Sequence, residues 1–476
     1  MYKFKTYKYL VPLSICLAVA SCTPALAPLA ETKAVPESFD KSTDTTNVSS
    51  TPWRTYFKDP NLVSLIDTAL KNNQELQITL QEIEIAKNDI RVRKGALLPT
   101  VGVGSGVGIE KVGRYTSQGA GDASTEIKPG KEMPDPLADF KLAAYANWEV
   151  DIWKKLRNSK KAAVSRYLAT VEGKNFVITN LIAEVADSYY ELLALDSQLE
   201  IVRQNIALQS NALEIVKIQK EAARATELAV QKFQAEVLAS KSMEFDILQN
   251  IKETENKINF LLGQYPQEIK RDKTNFASIM PSMIHSGVPS QLLANRPDIK
   301  QAELELEAAK LDVKVARAEF FPSLEINAAL GFNAFKPSYL FTMPESLLYS
   351  LAGDLAAPVI NRNAIKAEYS SANARQLQAL YNYERTILNA YLEVSSQLSK
   401  INNLEKSYEL KSQQVAAMNR SIDVAGDLFK SAKADYFEVL MTQRDALESK
   451  LELIETKKAQ FNATVHVYRD LGGGWK

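Results

Sequence analysis

Four stretches of the chain alternate between apolar residues and polar or small ones, the period of a strand with two unlike faces. In Pro99–Glu110 (PTVGVGSGVGIE), Val101, Val103, Val107 and Ile109 alternate with Gly102, Gly104, Gly106 and Gly108. A dinucleotide fingerprint would need its third glycine at Val107, so the run is not a phosphate loop. In Asp139–Trp153 the positions Phe140, Leu142, Ala144, Ala146, Trp148, Val150 and Ile152 are apolar, against Lys141, Asn147, Glu149 and Asp151. Ser323–Phe335 sets Leu324, Ile326, Ala328, Leu330 and Phe332 against Glu325, Asn327 and Asn333. Ser346–Ala357 sets Leu347, Tyr349, Leu351 and Leu355 against Ser346, Ser350 and Asp354. Each run has about ten residues or more, longer than the usual soluble strand and matched to a tilted membrane strand. Four strands leave open edges, which lipid does not tolerate, and small barrels need about eight strands. A membrane reading therefore requires several chains to pool strands. The alternative is a small soluble sheet packed under helices. In the membrane reading the valine face meets lipid and the glycine face points into a lumen or against a neighbour, with 113–136 and 334–344 as external loops.

The rest of the pattern is helical. No proline lies between Pro136 and Pro266, and none follows Pro358. Leu195, Leu199, Val202, Ile206, Leu213 and Val216 follow a heptad broken only at Gln209, as expected of a seam against neighbouring helices. A helix from about Leu156 to Glu221 would run roughly 100 Å. The chain also repeats itself. Leu98-Pro99-Thr100-Val101 corresponds to Phe321-Pro322-Ser323-Leu324, each after a helical stretch (Asn61–Lys94 and Asp298–Ala318). Ala225-Thr226-Glu227 corresponds to Ala434-Asp435-Tyr436, and Leu262-Gly263 to Leu471-Gly472. Each half reads helix, strand, strand, long helix, long helix. Asp59-Pro60 and Arg296-Pro297-Asp298 are helix-start signals, with proline in the first turn, where its missing N–H costs nothing, and acids favoured by the helix dipole.

Charge and composition narrow the partners. Lys plus Arg equals Asp plus Glu at 57 each, which gives no basic excess for nucleic acid. After the first 25 residues no apolar run approaches the ~18 needed for a spanning helix. At the N-terminus Lys3, Lys5 and Lys8 precede the apolar run Tyr9–Ala20 and then Ser21-Cys22. This pattern resembles a lipoprotein signal, with 1–21 removed and Cys22 lipidated. The two cysteines, Cys16 and Cys22, both lie in this segment. Residues 22–56 begin rich in Pro, Ser, Thr and Ala and read as a tether.

Chemistry-bearing constellations are missing from the pattern. The histidines, His285 and His466, are far apart and stand in no ligand spacing. There is no H-E-x-x-H, P-loop or G-x-S-x-G. Eight methionines give no thioether-rich path. Neither an enzyme nor a cofactor is expected.

Spread over the chain, the segments 53–70 (WRTYFKDPNLVSLIDTAL), 148–156 (WEVDIWKKL), 288–303 (VPSQLLANRPDIKQAE), Phe321-Pro322, Ala357-Pro358-Val359 and 470–475 (DLGGGW) resemble bacterial outer-membrane efflux proteins of the TolC type, in their lipoprotein branch. The resemblance implies a mainly α chain with a membrane β-barrel. Repeat 1 would cover 57–285, with strands near 97–111 and 138–153; repeat 2 would cover 286–476, with strands near 321–335 and 346–359. Each protomer would supply four strands of a trimeric 12-stranded barrel and helices of a periplasmic tunnel. It implies a homotrimer in the outer membrane of a Gram-negative bacterium, lipid-anchored and reaching into the periplasm. It further implies a passive exit duct for small molecules, docked to a periplasmic adaptor and an inner-membrane pump. Polypeptide secretion, or a coiled-coil lipoprotein without a pore, are the other readings. By resemblance, helix-hairpin tips near 221–227 and 426–435 would meet the adaptor. The periplasmic gate would lie at Glu438, with Asp435 beside it and Met441 where the family often carries a second acid. A solvated helix face near a turn is the plainer account of these residues.

Overall fold

The computed structural model describes Pro24, Pro36, Ser38, Phe39, residues 47–273, Phe276, 286–358, Ile360, 362–431 and 433–475. Cys22 and the signal-like segment before it lie outside the described residues, as does His285. The chain divides into two compact units. One holds Glu84–Leu168 and Leu304–Tyr381; the other holds Glu31–Ile83, Ala169–Glu303 and Asn382–Lys476.

The labelled elements, in chain order, are α1 (Pro60–Asn72), α2 (Gln74–Gly95), β1 (Thr100–Glu110), β2 (Leu137–Val150), α3 (Lys155–Glu221), α4 (Glu227–Leu261), α5 (Ser290–Asn295), α6 (Pro297–Ala318), β3 (Ser323–Ala334), β4 (Leu347–Ala356), α7 (Asn363–Lys430) and α8 (Tyr436–Asp470). The duplication is carried into their lengths. α2 and α6 each have 22 residues, α4 and α8 each have 35, and α3 and α7 have 67 and 68.

The first unit contains a four-stranded antiparallel sheet in chain order, β1-β2-β3-β4. Directly paired residues share a face. The row Val103, Ala144, Leu330, Tyr349 runs across one face. The row Thr100, Asn147, Asn327, Ala352 runs across the other. β1 and β4 are the edges, each with one partner strand. β2 stops at Val150 rather than Trp153, because Asp151 turns back to cap α3 and accepts from the N–H groups of Leu156 and Arg157 at 3.0 Å each. The segment read as a plain loop over 113–136 carries a short helix, Ser117–Ser124, and a small hairpin, Glu126–Lys128 with Lys131–Glu132.

In the second unit the heptad of α3 packs inward as its period demands: Leu195, Leu199, Val202 and Val216 are buried, and Ile206 and Leu213 half-buried. The break at Gln209 is a buried polar layer. Asn205 donates to Ser240 Oγ at 3.2 Å, and that hydroxyl donates to Gln209 Oε1 at 2.8 Å, linking α3 to α4. A buried ion triad bridges the same pair of helices, with Arg271, beyond the end of α4, between Asp196 of α3 (2.5 Å) and Glu255 of α4 (2.7 Å). Tyr56 stacks on Tyr468 at 4.1 Å and donates to the Thr464 carbonyl at 3.0 Å.

Three readings need correction. Asn61–Lys94 is not one helix: Asn73 leaves helical geometry (ψ 126°) and divides α1 from α2. The repeat counterpart of Arg296 is thereby Asn73, not Asp59. Asp59 instead caps α1, accepting from the Asn61 N–H at 2.8 Å, with Pro60 as the first helical residue. The stretch read as a tether is also held to the body at its described residues. Phe39 is buried and stacks on Tyr391 at 5.3 Å, Asn47 bridges Ser286, and Trp53 and Tyr56 are core residues.

Candidate functional site

The sheet has the two-faced character of a channel wall. Its β1 face, with Val101, Val103, Val107 and Ile109, is fully open, Val103 being 78% exposed. Leu330, Tyr349, Leu351 and Leu355 continue it, Leu351 being 79% exposed. A soluble sheet buries such a face against a core; here it stays uncovered along the full strand length. At one end of the strands Trp153 stacks on Phe321 at 4.6 Å and its indole N–H donates to the Pro322 carbonyl at 2.7 Å. Trp148 likewise donates to the Leu97 carbonyl at 3.1 Å. Tryptophans with an apolar body and a satisfied N–H are the residues a membrane interface favours. The duplicated Leu98-Pro99 and Phe321-Pro322 sit at this end, just before β1 and β3.

The opposite face is polar. Asn327 donates to Asp354 at 3.0 Å, and Lys141 Nζ lies 5.3 Å above the Tyr145 ring. Glu149 accepts from Lys155 at 2.5 Å. Burial opposes the Lys155 charge, but Glu149 and Glu319 outweigh it and hold the ammonium above the usual lysine range. The glycine run has a physical use here. A side chain at Gly104 would come within 3.1 Å of the Tyr145 ring, whereas Gly102 and Gly106 face open space.

The residues read as a gate begin α8. Asp435 is its N-cap and accepts from the Phe437 N–H, while Glu438 accepts from the Asp435 N–H at 3.4 Å, forming a capping box. Both side chains are exposed, and Met441, one turn on, is half-buried. Glu438 also borders a groove of ≈ 380 Å³ lined by Arg420, Val424 and Leu428 of α7. Thr226, at the matching position of repeat 1, caps α4 through its hydroxyl. The two hairpin turns close alike: the Arg224 N–H donates to the Gln219 carbonyl at 2.7 Å and the Lys433 N–H to the Leu428 carbonyl at 2.8 Å. The first turn holds Ala223 at φ +55°, a left-handed position where glycine would be unstrained. Gly426 is inside α7 and takes no part in the turn.

Arg296 does more than start a helix, and sequence reasoning missed this. Its guanidinium forms a fork with both oxygens of Asp298 (2.7 and 3.0 Å), and it reaches Glu393 (2.8 Å) and the Asp470 carbonyl (2.9 Å). Burial works against the charge, yet Asp298 and Glu393 raise its pKa further above the arginine range. Pro297 is the first residue of α6. His466 pairs with Asp187 at 2.7 Å. Among the described residues no helix is long and apolar enough to cross a membrane.

Known proteins share this fold. The Pyoverdine export outer membrane protein OpmQ of Pseudomonas aeruginosa is 29% identical over 98% of this chain and 97% of its own. The Cation efflux system protein CusC of Escherichia coli is 26% identical over 98% of this chain and 99% of its own. A crystal structure of CusC superposes with a TM-score of 0.82 at 24% identity, covering 95% of this chain and all of that one. The open-state MtrE outer membrane channel of Neisseria gonorrhoeae gives a TM-score of 0.82 at 22% identity, covering 96% of this chain and 99% of the other. The Outer membrane efflux protein family profile matches residues 65–264 and 288–473, one match for each half of the duplication, and the chain belongs to that family.

Proposed function

We propose that three copies of this chain pool their sheets into one closed barrel and serve as the passive outer-membrane duct of a tripartite efflux system. In this reading an inner-membrane pump supplies the energy, a periplasmic adaptor meets the helix-hairpin turns, and the cargo is small molecules. Lipid on Cys22 anchors the chain. Glu438 and Asp435, with Met441 one turn on, line the periplasmic constriction. The capping box fixes where their carboxylates sit, and three-fold repetition would set three of each around one axis, an arrangement that attracts cations.

The observation that carries the reading is the sheet: strands of ten residues or more whose apolar face is exposed along β1 and β4 and only half-buried along most of β2 and β3, with β1 and β4 unpaired on their outer sides. In a monomer the apolar face is unstable in water and the unpaired edges are unstable in lipid, and pairing β1 with β4 of a neighbouring copy removes the edges. The test is conductance of the purified protein in planar bilayers, together with disulfide cross-linking between cysteines introduced along β1 and along β4. Stable channels and cross-linked trimers are expected. A protein that stays monomeric and leaves the bilayer silent would refute the proposal.

A further inference from the structure

The start of α3 carries a basic cluster with no place in the channel's own workings. Lys154, Arg157, Lys160 and Lys161 fall within eight residues and line one open groove of ≈ 600 Å³ together with Leu97 and Glu307. Arg157 is engaged by Asp151 at 2.9 Å. Lys154, Lys160 and Lys161 have no ion pair among the described residues, and Lys154 and Lys161 are exposed. The direction of the groove follows from its neighbours. Lys155 bonds Glu149, which belongs to the polar face of the sheet. Lys160 and Lys161 lie about half a helical turn away from Lys155 in angle, on the opposite side of α3. Leu97, in the groove wall, accepts the indole N–H of Trp148, and Trp148 belongs to the apolar face. The basic groove therefore continues the apolar face directly, at the end of the strands where Trp153 and Phe321 stack.

Repeat geometry does not demand this charge. At the spacing that separates Glu227 from Tyr436, the counterparts of Lys154, Lys160 and Lys161 are Asn363, Tyr369 and Ser370. Tyr369 is buried edge-on against Phe320. Only Arg157 has a basic counterpart, Lys366.

We propose that Lys154, Lys160 and Lys161 seat the phosphate headgroups of anionic phospholipids in the periplasmic leaflet of the outer membrane. A charge-complementary site contiguous with a lipid-facing surface recognises the headgroup while the acyl chains lie along the apolar face. Lysine suits the task as a point charge for phosphate. With one groove per copy, bound lipid would fix the height of the barrel in the bilayer.

The test counts phosphatidylglycerol retained by the purified full-length protein, using native mass spectrometry at low and high salt, with phosphatidylcholine as the neutral comparison. The wild type is expected to prefer phosphatidylglycerol and to lose it with salt. Each Lys→Gln change should weaken retention roughly fivefold, and K154Q/K160Q/K161Q together should abolish the preference. The triple Lys→Arg variant should keep it, and K366Q should match the wild type. Heat-modifiable migration verifies assembly, and single Lys→Gln variants replace the triple one if assembly fails. Equal retention by wild type and Gln variants would overturn the proposal. So would loss of binding to soluble peptidoglycan fragments in the Gln variants with lipid retention unchanged.

Discussion

Arg296 Nη1 donates to the carbonyl oxygen of Asp470 at 2.9 Å, and at the matching place in the other repeat Asn73 Nδ2 donates to the carbonyl of Leu261 at 3.0 Å. Both acceptors are last-turn carbonyls of a 35-residue helix, which have no partner within that helix. The duplicated fold satisfies them with the residue just before the 22-residue helix of the same repeat, α2 or α6. Repeat 2 uses a charge where repeat 1 uses an amide. The charge suits a helix C-terminus, and it ties in Asp298 and Glu393.

R296M should accordingly destabilise the protein by about 1–3 kcal/mol, because it leaves the buried Asp470 carbonyl and the half-buried Asp298 carboxylate without their donor. R296K keeps the charge but loses the two-pronged bond to Asp298, and should fall between. Thermal unfolding of the assembled protein measures both. Hydrogen exchange at the first turn of α6 should accelerate in R296M.

The same junctions make a second prediction. Gly263 (φ +66°) and Gly472 (φ +86°) follow the two helix ends, and a Cβ there would lie 2.5 Å from the Asn72 carbonyl oxygen and 2.6 Å from that of Asn295. G263A and G472A must bear left-handed strain of about 1–2 kcal/mol, and the backbone overlap adds to it. G102A meets no atom within 4 Å and should change stability by less than about 0.5 kcal/mol. Denaturant titration of the three variants separates these cases.

Much of this was legible because a strand's period exposes both faces at once: the residues from Val101 to Leu355 read as apolar lie on the face the register assigns, except Ile152, which falls past the end of β2. The long helices were legible from their lack of proline. The division at Asn73 was not, because asparagine is only mildly unfavourable in a helix and the break is fixed by a carbonyl 188 residues away. Gln209 looked like a defect in a seam until Asn205 and Ser240 joined it. Lys154, Lys160 and Lys161 carry no signal in the sequence pattern, and their position beside the apolar face comes from pairing between strands.

The capping box at α8 separates a structural role from an electrical one. D435A removes the acceptor for the Phe437 N–H and should weaken the start of α8 by about 1 kcal/mol. E438Q keeps an oxygen that can accept from the Asp435 N–H, so it should leave stability unchanged. If Glu438 lines the constriction, E438Q should shift the reversal potential in a salt gradient toward lower cation preference. An unchanged reversal potential would leave Glu438 with capping alone.

Lipid exposure is tested by placing one charge on each face. V103K puts an ammonium on the uncovered apolar face and should cost about 2–4 kcal/mol near the bilayer midplane, reducing the yield of assembled protein in membranes. S350K lies on the polar face and should assemble normally. Similar yields from both would contradict the assignment of faces.

Asp151 supplies a pH prediction. Burial pushes its carboxyl up, but the Arg157 guanidinium and the N–H groups of Arg157 and Leu156 outweigh burial and hold it below the usual carboxylate range. The folded state thus binds fewer protons than the unfolded chain in the interval between the two pKa values. Its stabilising contribution is complete above the ordinary aspartate value, about 3.9, and disappears as pH falls through the depressed folded value. The protection of the Leu156 and Arg157 amides, relative to their intrinsic exchange rate at each pH, should therefore fall on acidification below about pH 4, while amides in the middle of α3 keep theirs. D151N should show the reduced protection already at neutral pH and lose the acid-dependent step, because its amide has one acceptor oxygen where the carboxylate offers two.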